Sequence, residues 1–481
     1  MQRLERRVGV IVGVLVGGAV LAAQTAAPDA RAVVAALDAK RAQYGEVALA
    51  IWDFAEVGYQ EERSSALLQK QLTAAGFAVT PGVAEMPTAF VASYGSGTPV
   101  IGILAEFDAL PGLSQAAAPG RRPLIANGPG HGCGHHLFGT ASVAAATAVK
   151  DWMTAGKRKG TVKVFGTPAE EGGAGKVYML RAGFFDNVDA VVSWHPGGRN
   201  AVSAGSSLAN INAKFRFHGV SSHAAAAPER GRSALDGVEA MNAMVNLMRE
   251  HVPSDTRIHY VITRGGTAPN VVPDFAEAYY YARHHDMRVL DGIWQRIENA
   301  AKGAALGTDT RMEMEIMGAV WNVLPNTYLA TVMEQHLKTV GGYTYTPEER
   351  AFAEGIRTSF DVPPPPIESA AEVMPTEHGV GGASTDTGDV SWRVPTVQMS
   401  AATWVPGTSA HSWQAVAAGG TQIGVKGMMV AAKTMALTAI DLLSNPTHVV
   451  KARVEFERAR GAGFSYATRL ATRKPPLDYR K

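Results

Sequence analysis

The chain has 481 residues, of which 46% are hydrophobic and 18% charged, and its formal net charge is +2. This is an ordinary globular composition with apolar material for a large core, and length alone suits about three domains. The basic residues are scattered and nearly balanced by acidic ones, which excludes a nucleic-acid partner because there is no electrostatic footprint for one.

Arg3, Arg6 and Arg7 make the start of the chain cationic, and the uncharged run from Val8 to Ala23 ends in small residues suited to signal cleavage. Residues 1–27 therefore read as a signal peptide, and the mature protein is expected to be exported, periplasmic or secreted. The competing reading is a retained transmembrane anchor, but this Gly-rich run is shorter than the ~20 residues a bilayer core demands. No cysteine follows it, so neither a lipid anchor nor any other stable membrane anchor is expected.

From about Arg31 to Gly205 apolar runs alternate with helical patterns, the sign of βαβ units and a mostly parallel sheet. Pro99 to Ala105, Thr161 to Thr167 and Ala190 to Trp194 are the clearest predicted strands. They stop at or just before Glu106, Glu170 and His195, and in open α/β sheets ligands gather at the carboxyl ends of strands. Between the first two strands, Gly130-His131-Gly132-Cys133-Gly134-His135-His136 opens a long Ala-rich helical pattern. Cys133 is the one cysteine, so no internal disulfide is possible, and a lone thiol in an oxidising compartment needs something to hold it. Its neighbours His131, His135 and His136 suggest a metal; the plainer alternative is a small buried hydrophobe. The Gly-rich stretch Gly166 to Lys176 is not a phosphate loop, because Glu170 stands where the first glycine of that motif belongs.

Beyond Asn210 the texture changes. Ile211 to Phe217, Arg257 to Thr263 and Ala276 to Arg283 alternate as strands, Met312 to Ile316 is extended, and Ser233 to Glu250 and Val289 to Lys302 have helical spacing. This βαββαβ order predicts a ferredoxin-like α+β insertion with its own core. The first pattern resumes near Tyr328 and ends with a helix over Met428 to Leu443; Pro363 to Pro366 marks a stiff surface segment, and the basic tail after Asn445 reads as solvated. The predicted fold class is thus α/β with a mixed, largely parallel sheet, divided as catalytic residues 28–208, an inserted lid over 209–322, and catalytic residues 323–481 including the tail.

Thiolate, imidazole and carboxylate arriving from strand ends suit a pair of divalent cations, Zn²⁺ by the soft ligands, with Mn²⁺ permitted by the carboxylates. Cys133, His135, Glu171, His195 and His411 would divide between the ions, one of them bridging, around a shared water of lowered pKa. Glu170, adjacent to Glu171, cannot easily bind the same ion and is the candidate general base. Asp108 is placed to orient a ligand histidine.

The segments AEFDALPG, GHGCGHH, GTPAEEGGAGK, HGVSSHAAAAPERGRSALD, GGTAPNVVPD, STDTGDVSW and GTSAHS occur in this order across about Ala30 to Leu443. Together they resemble the aminoacylase/carboxypeptidase family of di-metal metallopeptidases (the clan MH amidohydrolases), and most closely its p-aminobenzoyl-glutamate hydrolase branch of the B type. The resemblance implies a di-metal α/β hydrolase domain interrupted by a lid that dimerises. It makes Cys133, His135, Glu171, His195 and His411 metal ligands and Glu170 the base. It also implies that His223 enters the partner protomer's site to polarise the scissile carbonyl, and that Asn270 lies near the substrate's carboxylate or oxyanion. Glu106 stands where many relatives have Asp, and Thr385 to Asp389 departs from the Ser-Glu-Asp-Phe pattern of the auxin-conjugate hydrolases, which favours the B-type branch. Arg283 and Arg232 are candidate partners for a substrate carboxylate.

The expected activity is hydrolysis of the amide in an N-acyl or N-aroyl amino acid of the p-aminobenzoyl-glutamate kind by water activated between the two ions, in a homodimer formed through the lid. Three alternatives stay open: a dipeptidase or carboxypeptidase acting on peptides, an exported binding protein without catalysis, and one subunit of a hetero-oligomer with a second kind of chain.

Overall fold

The computed structural model describes residues 30–480, so the signal-peptide segment lies outside the described residues. Helices α1 (Ala30–Ala39), α2 (Arg41–Phe54) and α3 (Glu62–Ala74) precede strands β1 (Ala78–Pro81), β2 (Phe90–Ser96) and β3 (Val100–Ala105). Helix α4 (His135–Ala155), β4 (Gly160–Gly166), α5 (Gly175–Arg181), β5 (Ala190–Gly197) and β6 (Ala201–Ser203) complete the first half. The insertion runs β7 (Ala209–His218), α6 (Ala234–Met248), β8 (Arg257–Arg264), β9 (Phe275–His284), α7 (Met287–Gly307) and β10 (Arg311–Val320). Then come α8 (Thr327–Val340), α9 (Pro347–Arg357), α10 (Thr387–Arg393), β11 (Thr396–Ala402), α11 (Trp413–Gly419), α12 (Gln422–Ser444) and α13 (Pro446–Arg460).

The larger sheet is seven-stranded, in the order β1-β2-β4-β3-β5-β11-β6. Its centre, β4-β3-β5-β11, is parallel, and its outer pairings are antiparallel. Central parallel strands covered on both faces read as continuous apolar runs, and Ile101, Ile103, Leu104 and Ala105 on β3 are all 0% exposed. Helices α4 and α12 pack together against this centre. Helix α12 is long and apolar enough to cross a membrane by composition, yet it is largely buried inside the protein. Its glycine Gly427 lies against β11, where a Cβ would collide with the carbonyl oxygen of Ala402.

The insertion is a separate four-stranded antiparallel sheet, β10-β7-β9-β8, with α6 and α7 packed on it, as the βαββαβ pattern predicts. Its helices start where the sequence supplies caps: Ser233 accepts from the Asp236 amide before α6, and Asp286 accepts from the Arg288 amide before α7.

Two expectations need correction. Strand β5 runs on to Gly197, so His195 sits within it. The tail is not a solvated appendage: residues 446–460 form α13, Leu470 is 3% exposed, and residues 466–480 are bonded to both the lid and the catalytic part. Counting charges missed this because the arginines of the tail place their guanidinium groups on backbone carbonyls and lid carboxylates while tyrosines and Leu470 fill the gaps beneath.

Gly427→Ala is expected to cost about 1–3 kcal/mol by forcing α12 off β11. A lower denaturant midpoint with unchanged slope checks this.

Candidate metal centre

The carboxyl ends of β3, β4 and β5 converge on one rim, and the loop before α4 lies across it. Glycines permit the close approach. Gly134 adopts a left-handed φ of 73°, and a Cβ there would press on Pro196 at 2.8 Å. Gly132 backs directly onto His411, whose backbone amide donates to the Gly132 carbonyl at 3.1 Å. His411 itself has a φ of 57°, and Ala169, which precedes Glu170, has 58°. Such backbone costs a non-glycine residue on the order of 1–3 kcal/mol and persists only where neighbours fix it. At Ala169 the fixing group is Glu61, whose buried carboxylate accepts from the Ala169 amide at 2.8 Å.

Cys133, His135 and His195 bring donor atoms within metal-binding distance of one another, as do Cys133, Glu171 and His411, so Cys133 is common to both groups. Its sulfur lies 3.0 Å from His411 Nε2, which in turn lies 3.2 Å from Glu171 Oε1. His135 Nδ1 donates to Asp108 Oδ1 at 2.9 Å, and the other Asp108 oxygen accepts from the Glu171 amide at 3.0 Å. Asp108 therefore sets both the imidazole tautomer of one ligand and the backbone of another. His195 Nδ1 is 2.8 Å from the Pro196 carbonyl, which can only accept, so Nε2 keeps its lone pair. Burial and the neighbouring His135 push His195 down to about 4, which keeps it neutral and ligand-competent.

Of the histidines in residues 131–136, only His135 faces the cluster. His131 bonds the Ile51 carbonyl and His136 the Gly419 carbonyl, each at 3.0 Å, and both anchor the loop.

The donor set fits cations. Glu106 Oε2, His135 Nε2 and Glu171 Oε1 are buried without a hydrogen-bond partner. Glu106 Oε2 and His135 Nε2 lie 3.1 Å apart; burial lowers His135, but the charges of Asp108 and Glu106 outweigh it and hold His135 well above its ordinary value. Burial and the charge of Glu171 push the Cys133 thiol well above its ordinary value, so a thiolate here requires positive charge beside it. Glu106, Glu170 and Asp386 surround a buried ammonium, Lys176, while Asp108 interacts with Glu61 and Glu171 with Glu170 in the same cluster. Lys176 Nζ lies 2.7 Å from Glu106 and 2.6 Å from Asp386.

Glu170 lines the cleft beside Glu171. Desolvation, followed by the charges of Glu106, Glu171 and Asp386, pushes its carboxyl well above the ordinary range, with Lys176 opposing. That is the direction a proton-shuttling carboxyl requires.

A cleft of about 390 Å³ opens beside the rim, between the catalytic part and the lid sheet, lined by Glu170, Glu171, Asp386, His411 and, from β9, Arg283. The other substrate candidates lie elsewhere. His223 and Asn270 are exposed and sit next to each other on the lid, joined by a bond from the Ala224 amide to the Asn270 carbonyl at 3.0 Å; neither lines this cleft. Arg232 is corrected: it pairs with Asp309 at 2.7 Å and bonds the Gly231 carbonyl at 2.7 Å, which closes a lid turn and leaves it away from the cleft. Lys176, Asp386 and Glu61 were missed by sequence reasoning. Lys176 and Asp386 lay within segments already singled out, but nothing in the spacing marked them as mutually buried.

The profile of peptidase family M20/M25/M40 matches residues 102–436. The chain is 42% identical over 434 residues to the B-type subunit of p-aminobenzoyl-glutamate hydrolase from Escherichia coli (strain K12), covering 85% of this chain and 90% of that protein. It is 30% identical over 437 residues to the Xaa-Arg dipeptidase of Mus musculus, covering 88% and 90%. Among solved structures, the Bacillus subtilis YXEP protein, a dinuclear metal binding peptidase, shares the fold with a TM-score of 0.57 at 17% identity, covering 84% of this chain and 99% of that one.

Asp108→Asn is expected to weaken metal retention about 10- to 100-fold, read by competition with a chelator. Lys176→Met leaves Glu106 and Asp386 buried without their cation and is expected to cost about 3–5 kcal/mol in denaturant unfolding.

Proposed function

This chain belongs to peptidase family M20/M25/M40 and is a metal-dependent hydrolase of carbon–nitrogen bonds, and we propose that it cleaves the amide of an N-acyl or N-aroyl amino acid of the p-aminobenzoyl-glutamate kind. The observation that carries the choice is the position of Arg283: a guanidinium in the same cleft as Glu170 and Glu171. A cation there attracts the carboxylate of a released amino acid and disfavours the cationic side chain of an Xaa-Arg dipeptide.

Cys133, His135, His195, Glu171 and His411 would hold the cations, and two divalent ions bound there would supply Lewis acidity and lower the pKa of a water. Thiolate and imidazole favour Zn²⁺ over Mn²⁺. Asp108 holds His135 in its ligand tautomer. Glu170 accepts the proton of the attacking water and returns it to the leaving amine. Lys176 lies against Glu106 and Asp386, and its charge opposes protonation of both.

His223 acts from the lid of a second copy. Its Nδ1 accepts from the Ala225 amide at 3.2 Å and the Ala226 amide at 3.1 Å, so its Nε2 carries the hydrogen and is the donor to a developing oxyanion. Asn270, beside it, serves the same substrate. On this reading the active unit is a homodimer through the lid, and the cationic start and uncharged run of the first 23 residues support export from the cytoplasm. A second kind of chain is the alternative assembly, supported by the Escherichia coli relative, whose name makes it one of at least two kinds of polypeptide.

Glu170→Gln is expected to retain both metals by elemental analysis while kcat on p-aminobenzoyl-glutamate falls by at least about 10²- to 10⁴-fold. Wild-type turnover by that variant overturns the assignment of the base, and faster wild-type cleavage of Xaa-Arg dipeptides than of p-aminobenzoyl-glutamate overturns the substrate class.

A further inference from the structure

The segment after α13 is a strap tied at both ends. Tyr466 donates to Asp389 at 2.6 Å, and Trp321, just past β10, donates to the Ala467 carbonyl at 3.3 Å. Arg469 pairs with Asp291 of α7, and Arg473 reaches Glu315 of β10 at 3.2 Å, so the first part of the strap grips the lid. The second part grips the catalytic side. Arg181 donates to the Arg473 carbonyl at 2.7 Å, Tyr178 to the Lys474 carbonyl at 3.2 Å, and Gln60 to the Leu477 carbonyl at 2.8 Å. Tyr479 then packs edge-on to Tyr59 with ring centroids 5.7 Å apart and donates to the Glu171 carbonyl at 3.2 Å.

This places Arg480 in the wall of the cleft that holds Glu170, Glu171, His411 and Arg283. One guanidinium nitrogen of Arg480 also donates to the Glu171 carbonyl, which fixes the side chain while the planar fork keeps further N–H groups for the cavity it lines. Arg283 approaches the same cavity from the lid sheet, where it lies over the Tyr281 ring at 5.5 Å and bonds Ser384 at 3.1 Å. The cleft thus has cationic forks from separate elements, one from the lid and one from the strap, in a wall otherwise rich in carboxylates.

We propose that Arg480, delivered by the C-terminal strap, is a substrate-binding residue that recognises the carboxylate of the amino-acid half of the substrate together with Arg283. The ligand's identity rests on the amide-hydrolase reading above; the anion subsite itself rests on the placement of the two arginines. Guanidinium forks match carboxylates bidentately, and a lysine at the same place does not reproduce that geometry.

The test uses metal-loaded full-length protein carrying Glu170→Gln, with and without Arg480→Gln, and calorimetric binding of N-benzoylglutamate and of its diamide. The expected result is a loss of about 10- to 100-fold in affinity for the dicarboxylate on adding Arg480→Gln, with diamide binding, metal content and thermal midpoint unchanged. In the otherwise wild-type enzyme, Arg480→Gln should raise KM for N-benzoylglutamate more than it lowers kcat, and Arg480→Lys should restore it only in part. Equal losses for the dicarboxylate and the diamide would assign Arg480 a purely structural role, and unchanged affinity, or no binding of the dicarboxylate by the parent protein, would remove it from recognition; each overturns the proposal. Failure of the wild-type enzyme to turn over any N-acyl amino acid, with the affinity difference intact, would count against the amide substrate and not against the subsite.

Discussion

A buried concentration of negative charge governs this structure. Glu61, Glu106, Asp108 and Asp386 are each about 1% exposed or less and meet at one end of one sheet, where the low dielectric makes uncompensated charge costly. Lys176 answers part of that demand, because its ammonium lies between Glu106 and Asp386. The thiol, the imidazoles and Glu171 beside them are donors suited to cations, and an oxygen of Glu106 and a nitrogen of His135 are buried there without a hydrogen-bond partner. The left-handed backbone at Ala169 and His411 follows from the same demand, since both loops must bend sharply to bring carboxylate and imidazole to one place.

The supporting residues act in relays. Asp108 joins His135 to the backbone of Glu171, and Glu61 joins Thr88 to the backbone before Glu170. His135, Glu171 and the backbone before Glu170 thus have their positions set by buried carboxylates, which limits how far the rim can relax and keeps Glu170 among like charges. The glycines at positions 132 and 134 serve the same end by removing the side chains that would hold the 130–135 loop away from His411 and Pro196.

The lid and the catalytic part enclose the cleft from opposite sides, and the strap after α13 is bonded to both. Ordering of the strap, the approach of the lid sheet and the backbone of Glu171 are thereby linked through shared hydrogen bonds. The exposed pair His223 and Asn270 lies outside this enclosure.

Much of this was legible in the sequence. Alternating and continuous apolar runs located the strands of both sheets, because burial on one face or two writes a period into the chain. Runs read as stopping at or just before Glu106, Glu170 and His195 located the rim, although the last strand continues past His195 to Gly197, and residue chemistry alone nominated Cys133, His135, Glu171, His411 and Asp108. What the sequence could not provide were relations between distant segments: that Lys176 sits between Glu106 and Asp386, that Glu61 fixes the turn before Glu170, that Arg232 spends its charge on Asp309, and that a basic tail returns to the cleft. Local pattern determines which segments must be buried and what their side chains can bind. Only tertiary packing decides which charges meet, because pairing energy depends on distance and burial and leaves no period in the chain.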